Sequence, residues 1–299
     1  MQVDAARPAE IDGAVNESVL LIPSGGHLLP GVLTLPAATT EGTGVVIIVG
    51  GPQYRVGSHR QFVQLARALA AAGFATLRFD CSGMGDGPGE MRSFEDIAPD
   101  MTSAIDSLLA HSTHLRNIVL WGLCDAASAA LMFGAAHPNV IGLALANPWV
   151  RTTSSMAAVT MKHYYRARLT QLDFWRKLLA GGVDWRASWD SLRNTLSRLR
   201  TVPPTSEDDA HQDFRIRMAN GLARFGGPVL LLLSGDDLTA REFVDHTSTT
   251  PWKALLADSR VLRVDLPEAD HTFSRRAWKA QVEAQTVTWM RERVCTPTR

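Results

Sequence analysis

Short runs of apolar and β-branched residues recur along this chain and limit its fold more than any other feature: Val45–Val49, Ala75–Phe79, Ile118–Trp121, Ile141–Ala146, Val229–Leu233 and Val261–Val264. Strands of this length with almost no polar face must be covered on both sides, which is the situation of parallel strands between helical layers. Between the runs the period becomes helical. Phe62, Leu65, Ala66 and Leu69 form one stripe that stops at Gly73, and Ile97, Met101, Ile105, Leu108 and Leu109 form another. Ahead of them, SVLLIPSGGHLLPGVLTLP predicts an antiparallel hairpin turning at Gly25 and Gly26. The expected fold is α/β, a mostly parallel sheet flanked by helices.

The strand rhythm disappears from Asn147 to about Phe225, where Trp, Arg and Leu dominate and DFWRKLLAGG and WDSLRNTLSRLR read as short helices. Thr201 to Asp213 is a polar, turn-rich linker. This predicts a core of 1–148 and 222–299 interrupted by a helical insertion, 149–221. With 299 residues, 45% of them hydrophobic, one sizeable core can form. Thirty basic side chains balance thirty acidic ones, so no net field draws the chain to nucleic acid. Cys81, Cys124 and Cys295 are widely spaced and form no CxxC pair, which points to a reducing, cytoplasmic setting. No apolar run is long enough to span a bilayer, and no metal-binding spacing or phosphate-loop pattern is present, so neither membrane insertion nor a metal or cofactor is expected.

The strongest local signal is IVLWGLCDAAS, residues 118–128, an apolar strand that passes through Gly-x-Cys-x-Ala into an Ala-rich run. A strand-to-helix turn this sharp strains its central residue and leaves room only for small residues two places either side, a demand met by Gly122 and Ala126. It would expose Cys124 at the positive end of a helix, where thiolate is favoured. A small buried core cysteine is the alternative. Two further strand ends supply partners. Val229–Leu233 leads into Ser234-Gly235-Asp236-Asp237, and Val261–Val264 leads toward Asp270-His271. Nucleophile, acid and histidine in that order fit a Cys124-Asp237-His271 triad, with Asp236 as the alternative acid. Either acid can instead cap the next helix.

The strand at Val46–Val49 ends in Gly50-Gly51-Pro52-Gln53, a bend suited to one oxyanion-hole amide. Pro52 has no N–H, so the donor is Gly51 or, preferred, Gln53, with the amide of Asp125 as the second. The glycine-rich stretch Asp80–Gly87 is expected to border the site. Gly51, His59, Trp149 and His163 are candidates for substrate contact. Tyr164, Tyr165, Phe174 and Trp175 either line an apolar pocket or pack the insertion, and Arg151, Lys162, Arg166 and Arg168 either meet an anionic group or form a solvated face.

Taken together, GGPQYRVGSHRQF, RFDCSGMGDGPGE, LWGLCDAASAA, NPWVR, KHYYRARL, FWRKLL, LSGDDLTAREF and ADHTF resemble the α/β-hydrolase superfamily, and within it the exosortase A system-associated hydrolases of type 1. The resemblance runs from about Ser18 to Met290. It implies an eight-stranded, mostly parallel sheet with a helical cap, and a link to bacterial exopolysaccharide biosynthesis and protein sorting, whose proteins become possible partners. Where that superfamily commonly has Gly-x-Ser-x-Gly, Cys124 replaces the serine, as in dienelactone hydrolases, and Ala126 the last glycine. The usual His-Gly of the oxyanion loop is Gly50-Gly51. The expected activity is hydrolysis of an ester or thioester of a small acyl substrate through a covalent acyl-enzyme. An acyltransferase and a non-catalytic scaffold are the other classes considered.

Overall fold

A computed structural model describes residues 15–37, 42–51, 53–151 and 213–295. The chain divides into two units, Met1–Val150 with Phe214–Arg299 and Arg151–Asp213. Every element named below belongs to the first. The two helices expected within the insertion, together with Lys162, His163, Tyr164, Tyr165, Arg166, Arg168, Phe174 and Trp175, lie outside the described residues.

The strands are β1 (Asn16–Ser24), β2 (His27–Leu35), β3 (Thr43–Ile48), β4 (Thr76–Phe79), β5 (Asn117–Leu123), β6 (Val140–Ala146), β7 (Val229–Asp236) and β8 (Val261–Asp270). They form one sheet in the order β1-β2-β4-β3-β5-β6-β7-β8. β1 and β2 pair antiparallel, as do β2 and β4, and from β4 to β8 every pairing is parallel. The first hairpin closes with Ser24 opposite His27 over Gly25 and Gly26, whose φ values of 56° and 81° are those of the tight primed turn that glycine favours.

The described helices are α1 (Gln61–Ala71), α2 (Ala98–His111), α3 (Asp125–Phe133), α4 (Phe214–Arg224), α5 (Leu238–Thr247), α6 (Trp252–Leu256) and α7 (Arg276–Trp289). Strand alternation divides the apolar residues between two cores. Val46, Ile48, Ile118 and Leu120 face Met101, Ile105 and Leu108 of α2 and the apolar side of α3 and α4. Val45, Ile47, Val119 and Trp121 face Phe62, Leu65 and Leu69 of α1 and Val282 and Trp289 of α7. The central strands are therefore buried on both faces, as their composition required. Among the described residues no helix is long and apolar enough to cross a membrane.

Two boundaries differ from expectation. α4 starts at Phe214, inside the stretch read as insertion, and buries Phe214, Met218 and Leu222, spaced one helical turn apart, in the first core. β8 runs to Asp270, well past Val264. A register shift against β7 between Ser234 and Asp236 lets the two strands stay paired as far as Asp236 and Asp270.

Candidate active site

β5 delivers the chain into Cys124, which takes φ 63° and ψ −125° immediately before α3 begins. The bend folds Gly122 beneath the helix: a Cβ there would lie 2.6 Å from the Ala126 carbonyl and 2.7 Å from Ala127 N. Any side chain at position 122 would collide with backbone, and Ala126 is itself fully buried. The main chain of Cys124 is held on both sides. Its N–H donates to Ala146 O at 2.9 Å, and its carbonyl accepts Ala127 N–H at 3.1 Å, Ser128 N–H at 3.2 Å and Trp149 N–H at 3.2 Å. The residue is half-buried.

Asp125 occupies the first helical position, whose amide has no intrahelical acceptor. Its carboxylate folds under the β3 loop, where Oδ2 accepts Gly51 N–H at 2.9 Å and Oδ1 accepts Ala126 N–H at 2.9 Å. Burial raises the Asp125 carboxyl above the ordinary carboxylate range, against the opposing pull of the Gly51, Ala126 and Asp125 amides and of His271. The preferred loop donor points elsewhere, because Gln53 N–H donates to Gly51 O at 2.7 Å. It can reach an oxyanion only after that turn opens. Gly51 has φ 60°, and among the described residues nothing lies within 4 Å of where a Cβ would stand.

At the next strand ends, Asp237 caps α5 and His271 follows β8. Asp237 accepts Thr239 N–H at 3.0 Å on Oδ1 and Ala240 N–H at 3.2 Å on Oδ2, and Oδ2 also lies 2.8 Å from His271 Nδ1. Cap and histidine partner, posed as alternatives for this acid, are one carboxylate. Asp236 is different: its side chain is 80% exposed, against 6% for Asp237, and lies 3.7 Å from Arg241. The His271 turn is fixed from below by Asp270, whose carboxylate accepts the amides of Thr272 and Ser274 and the Ser274 hydroxyl. Burial works against ionisation of Asp270, but those hydrogen bonds hold its carboxyl below the usual range.

The remaining candidates sit as follows. Trp149 is tied to the elbow through its main chain, with Ser128 Oγ donating to Trp149 O at 2.7 Å, and its ring packs partly buried on the first core. His59 is exposed at φ 53°, and its carbonyl accepts Lys279 Nζ at 3.1 Å. Two further groups carry no role assigned from the sequence. Buried Asp80 accepts the Arg55 amide at 2.6 Å and also the Arg55 guanidinium, tying the loop after β4 to the loop after β3. Buried Asn147 joins the ends of β6, β7 and β8. The signals for Asn147 are its place directly after an apolar strand and its position at the head of the NPWVR stretch. Among the described residues no group of three or more His, Cys, Asp or Glu gathers in a way that could hold a metal ion.

Comparison with known proteins agrees with this fold. Residues 45–284 match the model of the Alpha/beta hydrolase family, and the chain belongs to that family. No curated protein matches it. Among solved structures, an esterase of Pyrococcus furiosus superposes with a TM-score of 0.61 at 14% identity, covering 98% of each chain. A dienelactone hydrolase from Anabaena variabilis gives 0.59 at 18% identity, covering 93% of this chain and 98% of its own. An alpha-beta serine hydrolase homologue from Coxiella burnetii gives 0.58 at 16% identity, covering 91% and 96%. At these identities the likeness is one of fold.

Proposed function

We propose that this protein hydrolyses an ester or thioester of a small acyl substrate, with Cys124 as nucleophile, His271 as general base and then acid, and Asp237 as the group that orients the imidazole. The observation that carries the reading is the 2.8 Å contact of His271 Nδ1 with Asp237 Oδ2, on the sheet edge where Cys124 forms its strained bend. With Nδ1 held by the carboxylate, Nε2 is the nitrogen left to exchange protons with the thiol. Cys124 Sγ attacks the acyl carbon as its proton passes to His271. The tetrahedral adduct collapses as that proton goes to the leaving alcohol or thiol. Water, deprotonated by His271, then attacks the thioester, and the acid departs as Cys124 regains its proton.

The first-turn amide of Asp125, which also interacts with its own carboxylate, is assigned as one oxyanion donor, and such a donor contributes about 3 kcal/mol to the transition state. The loop donor, Gly51 or Gln53, has first to leave its present acceptor, Asp125 Oδ2 or Gly51 O. Gly51, His59, Trp149 and His163 are assigned to substrate contact, the insertion ahead of α4 to a helical cap, and the chain to the cytoplasm. The link to exosortase and exopolysaccharide systems rests on the stretches quoted above. The test is labelling with a thiol-reactive acyl probe, followed by mass spectrometry of the peptides. Acylation is expected at Cys124 and absent from Cys124→Ala, whereas labelling confined to Cys81 or Cys295 overturns the assignment.

A further inference from the structure

We infer that Asn147 is a positioning residue for the His271 imidazole, acting through the main chain of the turn that carries it; the inference rests on the triad reading above. Asn147 is fully buried and has φ 44°, in the left-handed region that asparagine occupies more readily than most residues. Its N–H donates to Leu232 O at 3.0 Å, so its backbone is placed independently of its side chain. The side chain exchanges two bonds with Ser234 of β7: Ser234 N–H donates to Oδ1 at 2.8 Å, and Nδ2 donates to Ser234 Oγ at 2.9 Å. Each partner then spends its remaining hydrogen on the turn after β8. Ser234 Oγ donates to Asp270 O at 3.0 Å, and the second Nδ2 hydrogen goes to His271 O at 3.2 Å.

The imidazole is thus held at two points. Asp237 fixes the ring at Nδ1, and the Asn147-Ser234 pair fixes the two carbonyls that bracket its Cα. Either restraint alone leaves a hinge. With only the carboxylate contact, the main chain can shift while Nδ1 stays bonded, and Nε2 moves relative to the sulfur. Proton transfer is sensitive to displacements of that size. Asparagine suits the position because one group must accept from Ser234 N–H and donate two hydrogens. Aspartate keeps the acceptor but turns an oxygen toward Ser234 Oγ and the His271 carbonyl, while alanine leaves Ser234 N–H and His271 O unpaired inside the protein.

The experiment is the rate of Cys124 alkylation by iodoacetamide from about pH 6 to 10, located by peptide mass spectrometry, in wild type, His271→Ala, Asn147→Asp, Asn147→Ala and Ser234→Ala. Melting followed by circular dichroism checks that each variant is folded. His271→Ala is expected to shift the profile to that of an unassisted thiol, near pH 8.5. The two Asn147 variants are expected to move most of the way there, slowing alkylation at neutral pH by about tenfold. If a small ester such as p-nitrophenyl acetate is turned over, kcat should fall similarly with KM within about twofold. Ser234→Ala, which keeps the Asn147-His271 bond, is expected to show about a threefold effect and gives the reading if the Asn147 variants do not fold. Wild-type profiles in all folded Asn147 and Ser234 variants, beside an altered His271→Ala, overturn the inference alone. An unaltered His271→Ala overturns the triad and the inference with it.

Discussion

Cys81 and Cys124 lie just past the ends of β4 and β5, the strands on either side of β3, yet they occupy opposite chemical settings. After Cys124 the chain enters α3 at once, and the bend leaves the residue half-buried at a helix N-terminus. After Cys81 it folds into a tight loop, with Met84 N–H donating to Cys81 O at 3.0 Å and Gly83 N–H to Gly87 O at 3.1 Å. Cys81 is fully buried in the first core. Burial, followed by the Asp100, Asp80 and Asp125 carboxylates, pushes its thiol well above the ordinary range. Asp100 of α2 in turn accepts Ser24 Oγ of β1 at 2.6 Å and Ser82 N–H of this loop at 2.9 Å, so the loop is tied to the elements beside it. On the proposed reading, the strand end that carries the chemistry is the one that passes straight into a helix and leaves its cysteine only half-buried.

Four tests bear on that contrast. Cys124→Ala is expected to lower acyl turnover by on the order of 10,000-fold, while Cys81→Ala stays within about threefold, both measured as kcat/KM. Comparable losses from the two would erase the distinction. Next, Asp237→Asn should cost about a thousandfold in kcat, since it disturbs the tautomer of His271, whereas exposed Asp236→Asn should stay within about twofold. Gly122→Val is expected to destabilise the fold by about 1–3 kcal/mol in urea titrations and to depress turnover as well. Gly83→Ala, whose Cβ would meet Met91 N at 2.2 Å, should destabilise while leaving the Cys124 alkylation profile in place. The smallest effect is alkaline. The Cys81 thiol is raised in the folded state, so the stability it contributes is complete below the ordinary thiol range and is lost as pH rises beyond about 9. Wild type should therefore lose about 1 kcal/mol more than Cys81→Ala between about pH 9 and 10.

Much of the architecture was legible because burial on both faces leaves a composition that little else produces. β3, β5, β6 and the apolar part of β7 coincide with the runs, and Gly122 and Ala126 meet the contact their size anticipated. β8 was read short because it is a sheet edge: Asp265, Pro267 and Glu268 are exposed there and break the apolar pattern that marks an interior strand. α4 was hidden by its charged outer face, which made its apolar residues resemble the insertion before it. The pairing of Asp237 with His271 followed from strand ends alone. The direction of the Gln53 amide did not, because it depends on one turn's backbone angles. Asn147 was missed because a structural amide has no spacing partner in the chain.

The approach of Asp125 to the β3 loop has a consequence for how this chain can vary. A Cβ on Gly50 would lie 2.1 Å from Asp125 Oδ1, so the space that a histidine at position 50 would enter is already filled by an acid from the far side of the sheet edge. Shortening residue 125 would not by itself release position 50, because the Leu123 carbonyl oxygen would stand 2.7 Å and Ala126 N 3.0 Å from the same Cβ. Descendants that keep this turn of main chain must keep glycine opposite it, whatever follows the elbow cysteine.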